Sequence, residues 1–359
     1  MDPALYESRK RLLPIFLVAF VALSAWAIWP TPADPNAPIE YSLKGETMGT
    51  TYTIRLRGPA STLKPKIQSI GSDVEKTLVR VNALMSTWIE DSEIRKFNRE
   101  TPDTAFQLSK ETLEVMTLAH QISLVSGGAF DVTVGPLVDA YGFGSGKALS
   151  ALEPQTIDAL KERVGFQFIE YFPERSSISK MRPGLEVDLS AIAKGYGVDA
   201  LLSKLREHGV EHAMVEIGGE VRAMGVNSRS IPWRIGIERP ETIAGGTQRV
   251  VGLSNQAMAT SGDYRNFKLG PDGRRITHTI DPRNGLPIEH GLASVTVISE
   301  SCAKADALAT ALNVLGPEKG MALAEEKGWK VLMLIRSENG IVEEMSSRFA
   351  QLAEQKVGL

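Results

Sequence analysis

Residues 303–315, AKADALATALNVL, place their polar side chains on one narrow line. Helical spacing sets Asp306, Thr310 and Asn313 at i, i+4 and i+7, on a shared face. Apart from Lys304 the remaining positions are Ala, Leu or Val, so the expected helix is apolar nearly all round and belongs in a core. An aspartate buried there needs a positive or hydrogen-bonding partner. Two readings follow. Asp306 is met by a nearby arginine or backbone N–H, or Asp306 and Thr310 are two hard oxygen donors one turn apart, suited to Mg²⁺ or Ca²⁺.

Around this helix the pattern predicts one mixed unit over 39–359. Residues 41–57 alternate and read as two strands turning at Met48–Gly49. Helices are expected over 63–85, near 91–97, over 109–126 with Gly127–Gly128 closing it, over 154–163, and over 190–206 with Ser190 as N-cap. Short strands near 213–217, 220–225, 232–238 and 249–254 read as an antiparallel meander. Strands at 275–280 and 292–298 precede the Ala-rich helix. A helix over 317–328, a strand over 330–335 and a polar helical tail complete the chain. Helices and strands come in blocks, so the fold class is α+β with antiparallel sheets flanked by helices, not a doubly wound parallel sheet.

The bulk composition excludes some chemistry. Of 359 residues, 43% are apolar and 23% charged, and the net charge of -3 offers no basic footprint for nucleic acid. Five histidines and one cysteine exclude a Cys/His zinc site and an intrachain disulfide. Arg9, Lys10 and Arg11 precede an apolar run from Leu12 to Trp29, broken only by Pro14 and Ser24. That layout predicts a signal peptide or a retained inner-membrane anchor over 1–29, with Ala25-Trp26-Ala27 as a possible cleavage site. No cysteine follows the run, which excludes a lipoprotein anchor. Either way the remainder is expected outside the cytoplasm, on the periplasmic side, after a stiff Pro-rich linker over 30–38.

Several segments could carry chemistry. In VDLSAIAKGYGVDA (187–200), Asp188 precedes a helix N-terminus and Lys194 lies one turn inside, a setting that favours a phosphate. Gly195 and Gly197 lower helix propensity, which points to close approach by a neighbour or ligand. SGGAFDVTVGPL (126–137) lets backbone approach something bulky, and Asp131 could accept from a base or ribose. In ITHTIDPRNGLP (276–287), His278 precedes a strong Asn284–Gly285 turn and could be a general base or a structural histidine. ATSGDY (259–264) could line a phosphate site or form a loop, and IGGE (217–220) reads as a tight turn. No P-loop, HExxH or GxSxG pattern occurs, nor a GxGxxG in a βαβ setting.

Taken in order, MGTTY (48–52), MSTWIEDSEIRKFN (85–98), SGGAFDVTVGPL (126–137), VDLSAIAKGYGVD (187–199), IGGEVRAMG (217–225), ATSGDYRNF (259–267), HTIDPRNGLPI (278–288) and ADALATAL (305–312) resemble the ApbE family of FAD:protein FMN transferases. The resemblance implies a T-fold-related α+β domain that binds FAD beside Mg²⁺. A Thr or Ser hydroxyl of an acceptor protein attacks the FMN phosphorus and AMP leaves. It implies Asp306, Thr310 and the Ala191 carbonyl as metal ligands. Met48, Ala129, Phe130, Asp131, Asp188, Lys194 and Ile280 would contact FAD. His278 would be the base. Trp88 stands at an aromatic position, usually tyrosine, that covers the flavin. The acceptors implied are flavin-carrying subunits of membrane redox complexes. Trp88 in place of tyrosine leaves room for a FAD pyrophosphatase giving FMN and AMP, and a non-catalytic flavin-binding protein is the alternative from another class.

Overall fold

Hydrogen bonding in the computed structural model, which describes residues 34, 36–146, 148, 152–240, 246–262, 267–269, 275–338 and 340–354, is organised by one eight-stranded antiparallel sheet. Numbered in chain order, its strands are β1 (Pro38–Thr47), β2 (Thr50–Pro59), β3 (His212–Ile217), β4 (Glu220–Met224), β5 (Gln256–Gly262), β6 (Leu292–Ser299), β7 (Lys330–Ser337) and β8 (Gly340–Met345). They lie side by side in that same order, each antiparallel to the next. The sheet is therefore a simple meander, the connection pattern that keeps chain neighbours adjacent in space. The expected segment at 1–29, together with Pro30, Pro32 and Pro35, lies outside the described residues.

The helices of six or more described residues are α1 (Ile67–Met85), α2 (Glu93–Arg99), α3 (Lys110–Val125), α4 (Gly135–Ala140), α5 (Pro154–Lys161), α6 (Ala193–Glu207), α7 (Cys302–Lys327) and α8 (Ser347–Glu354). On one face of the sheet, Ile54, Leu56, Ala213 and Val215 pack with α1 and α6, and Val295, Val297, Val331 and Met333 pack with α7. On the other face, Met214, Val221, Met258, Ile298 and Leu332 meet Trp233, Val251 and Phe349. Both faces are covered, so β6 is buried along its whole length. The apolar helix at 303–315 is the central helix α7, and Gly316 (φ 77°, ψ 178°) with Pro317 breaks it from its continuation.

Five expectations are corrected. The strands Trp233–Arg239 and Gly246–Leu253 pair with each other and leave the meander as a separate hairpin over one face. Ala259–Gly262 is not a loop but the end of β5, paired with β6, with the Thr260 and Thr296 hydroxyls in contact at 2.8 Å; Asp263 and Tyr264 lie outside the described residues. The polar tail begins with β8, before α8. Ser190 does not cap α6, because its N–H and hydroxyl both go to Asp188 Oδ1, and the helix starts after a tight turn at Leu189–Ile192. Finally, the strand at 275 ends at Thr277, since Thr277 Oγ1 accepts the Thr279 N–H and competes with the ladder.

Candidate active site

Two tight turns stand next to each other at one end of the sheet. Met48 and Gly49, at φ 50° and 72°, close the β1–β2 hairpin as left-handed residues, the geometry that matches strand twist. Gly218 and Gly219, at φ 59° and 105°, close β3–β4, and the Gly218 N–H donates to the Thr51 carbonyl at 3.1 Å. A methionine at positive φ is uncommon. Met48 is held there with its methyl end over Gly197 of α6, where an added Cβ would stand 3.0 Å away. Asn82, on the last turn of α1, donates to Thr47 Oγ1 at 3.0 Å. Trp88 follows in the loop after that helix and is 71% exposed.

The start of α6 meets α7 beside these turns. An added Cβ at Gly195 would come within 2.6 Å of the Cys302 carbonyl carbon and 2.8 Å of Ala303 Cα. Only glycine permits this approach, which lets the Gly195 N–H reach Asp306 Oδ2 at 3.0 Å. The first helical bond of α6 runs from the Tyr196 N–H to the Ile192 carbonyl. With the Gly195 N–H diverted, the Ala191 carbonyl receives no donor among the described residues. Thr310 follows one turn after Asp306, half-buried.

The charges at this junction are unbalanced. Lys194 pairs with Glu220 Oε1 at 3.3 Å. Asp199 pairs with Arg222 at 2.6 Å and accepts the Cys302 and Ala303 N–H groups at 2.9 and 3.0 Å, capping α7. Three carboxylates thus face two cations. Burial pushes Asp306 above the usual carboxylate range, with Lys194 and the Gly195 N–H opposing. Burial, with Asp306 adding to it, pushes Glu220 up to about 8 against the pull of Lys194. Burial disfavours the Lys194 ammonium, but Asp306 and Glu220 more than reverse this and raise its pKa. Glu220 Oε2 is buried without a hydrogen-bond partner. Hard oxygen donors, among them the unpartnered Glu220 Oε2, and an unclaimed carbonyl together suit a divalent cation, whose charge would favour the ionised carboxylates. No cluster of three or more His, Cys, Asp or Glu side chains forms a metal site among the described residues, so a cation here relies on the hydroxyl and the backbone.

The other end of the α7 polar line reaches the His278 segment. Asn313 Nδ2 donates to Thr279 Oγ1 at 3.3 Å, and the His290 ring nitrogen Nε2 stands 2.7 Å from the Asn313 carbonyl. Seven residues of helix separate Asp306 from Asn313, about 10 Å. Asn313 Oδ1 is buried and unpartnered. His278 is half-buried, with the Phe143 ring against it.

The remaining predicted residues apart from Ile280 lie in the 126–135 and 185–190 segments, which are joined by the Asp188 N–H to the Val132 carbonyl at 2.7 Å. Ala129 and Phe130 are buried. Asp131 turns inward: Oδ1 accepts from the Thr133 N–H and hydroxyl, and Oδ2 accepts from the Phe166 N–H. Its carboxylate, raised by burial, holds the loop rather than pointing outward. The Ile280 side chain packs with Leu137 and Val164, and its backbone lies opposite Pro287 in a short hairpin. Asp188 keeps Oδ2 clear of the Ser190 bonds. Met48, Lys194, Asp306 and Thr310 are thus brought together, and His278 joins the same helix face through Thr279.

Three supporting residues escape sequence reading. Glu220 and Asp199 complete the charge cluster, and Asn98 pairs in strand fashion with the Val187 backbone, at 2.9 Å to its carbonyl and 2.8 Å from its N–H. The signal for Asp199 was available: a carboxylate beside the apolar stripe Val198, Leu201 and Leu202.

The ApbE family profile matches residues 48–333. A Vibrio cholerae protein named FAD:protein FMN transferase is 42% identical over 336 residues, covering 93% of this chain and 97% of its own. A Haemophilus influenzae protein of the same name is 41% identical, covering 88% and 92%. Among solved structures, the flavin transferase ApbE of Vibrio cholerae superposes with a TM-score of 0.80 at 40% identity, covering 88% of this chain and 99% of its own. The apo flavinyl transferase ApbE of Pseudomonas stutzeri also gives 0.80, at 36% identity, with 88% and 97% covered. With this geometry, these relatives and that profile in agreement, the chain belongs to the ApbE family.

Proposed function

We propose that the chain transfers the FMN part of FAD to a threonine or serine hydroxyl of an acceptor protein, releasing AMP. The observation that carries this reading is the Gly195–Asp306–Lys194 junction, a lysine and a cation-seeking oxygen cluster beside a helix start. Asp306, Thr310 and the Ala191 carbonyl would hold Mg²⁺, which when bound neutralises diphosphate charge. Lys194 supplies a point charge to the same anion. The acceptor oxygen bonds to the FMN phosphorus, the P–O bond to AMP breaks, and the hydroxyl proton passes to a ring nitrogen of His278. Trp88, exposed in the loop after α1, would cover the flavin. We further propose that the domain is displayed outside the cytoplasm, exported or held by its N-terminal segment, where flavin-carrying subunits of membrane redox complexes are its acceptors.

The test is to incubate the protein with FAD, Mg²⁺ and such a subunit and to weigh the acceptor. A gain equal to an FMN phosphoester, abolished by EDTA and by His278→Ala without loss of FAD binding, supports the reading. AMP release at the same rate with and without acceptor would show a pyrophosphatase instead. Intact FAD throughout would show a binding protein.

A further inference from the structure

We propose that Phe143 is a positioning residue that fixes the imidazole of His278 for proton abstraction; this rests on the base role given to His278 above. The Phe143 and His278 rings meet edge-on, with centroids 6.3 Å apart and planes at 66°. That is the preferred arrangement of two such rings.

Phe143 is itself held from three sides. It stands just past the end of α4 in a paired cap: the Phe143 N–H donates to the Val138 carbonyl at 3.0 Å, and the Gly142 N–H to the Asp139 carbonyl at 2.8 Å. Gly142, at φ 79°, takes the left-handed position this cap requires. The following loop folds around Asp139, whose Oδ1 accepts the Gly146 N–H at 2.9 Å. An added Cβ at Gly144 or Gly146 would collide with that carboxylate. On the outer side, Lys268 Nζ stands 4.8 Å from the Phe143 ring centroid and donates to the Gly142 carbonyl.

The same cap is tied to the hairpin that follows His278. Tyr141, the residue before Gly142, donates its hydroxyl to the Gly285 carbonyl at 3.3 Å. The cap is thereby fixed to this segment at two points, Tyr141–Gly285 and Phe143–His278. His278 lies in the break between two short strands, where no ladder sets its backbone. The Phe143 ring packs edge-on against its imidazole and so restricts the ring's orientation.

The test compares wild type, Phe143→Ala, Phe143→Tyr, His278→Ala and the Phe143→Ala/His278→Ala double variant, as full chains with FAD, Mg²⁺ and an acceptor subunit. Phe143→Ala is expected to lower kcat about 10- to 100-fold, the scale of a misplaced reacting group, with the KM for FAD unchanged. Phe143→Tyr restores most of the rate. In the double variant the alanine at 143 costs nothing further, because it acts through the imidazole. A Phe143→Ala enzyme at wild-type kcat, or an equal loss with and without His278, overturns the proposal while the base role stands. A His278→Ala enzyme at wild-type kcat overturns the base role, and this inference with it.

Discussion

Replacing Gly195 with alanine tests the central contact between α6 and α7. The new methyl would meet backbone, 2.6 Å from the Cys302 carbonyl carbon and 2.8 Å from Ala303 Cα, so no side-chain rotation relieves it. The two helices must separate by a large fraction of an ångström. Overpacking of this kind costs about 1–3 kcal/mol. Separation also weakens the 3.0 Å bond from the Gly195 N–H to the Asp306 carboxylate, a charge-assisted contact of about 1.5–3 kcal/mol. Better helix propensity returns about 1 kcal/mol. The expected net loss is about 2–4 kcal/mol, together with weaker Mg²⁺ dependence. Gly197→Ala is the control: its methyl meets Met48 Cε at 3.0 Å and Ile217 Cδ1 at 3.2 Å, both ends of flexible side chains. It should change stability by less than about 1 kcal/mol. Urea unfolding followed by tryptophan fluorescence reads both. Were Gly195→Ala as stable as wild type, or Gly197→Ala the more damaging, the close-approach argument would be wrong.

Asp306→Asn keeps the shape but removes the charge; Mg²⁺ titration of activity should shift at least tenfold, about 1.4 kcal/mol, while stability in EDTA is unchanged or higher, since a buried carboxylate above its usual range is relieved. An unshifted titration would remove Asp306 from the site. Glu220 carries a folded pKa of about 8 against an ordinary 4.5, so the folded state holds its proton more tightly. Its contribution is fully present below pH 4.5 and is lost as pH rises toward 8; denaturation of the metal-free protein between pH 5 and 8 should slope downward in wild type and flatten in Glu220→Gln. Parallel slopes would refute this. Asn98→Ala orphans the N–H and carbonyl of the buried Val187, which should cost about 2–4 kcal/mol and raise the KM for FAD through Asp188. A thermal melt and FAD saturation curves check it, and a wild-type KM would exclude the positioning role.

Periodicity made α7 legible, because three polar residues among alanines and leucines leave one interpretation of its face. It also exposed the hairpin turns, whose glycines announce themselves. It failed at β5, where Ala259–Gly262 looks like a loop and becomes a strand because β6 pairs with it residue by residue. Local competition explains Ser190 and the strand end before His278: the Asp188 carboxylate captured the Ser190 N–H, and the Thr277 hydroxyl captured the Thr279 N–H. Of the two readings of Asp306, the contact with a backbone N–H is the one the structure displays, since the Gly195 N–H reaches Oδ2 as it would reach a core aspartate. Glu220 was invisible, since nothing in EVRAM marks its first residue as buried against a lysine from another helix.

The sequential strand order has a kinetic corollary. Most of the sheet can zip from nearby pieces, but joining β2 to β3, with Tyr52 opposite Ile217, must close the whole of residues 60–211. Refolding should therefore proceed as two arms that dock late. Met48 rides on one arm and Asp306 on the other, so a nascent chain lacks the proposed site until that final seam is sewn.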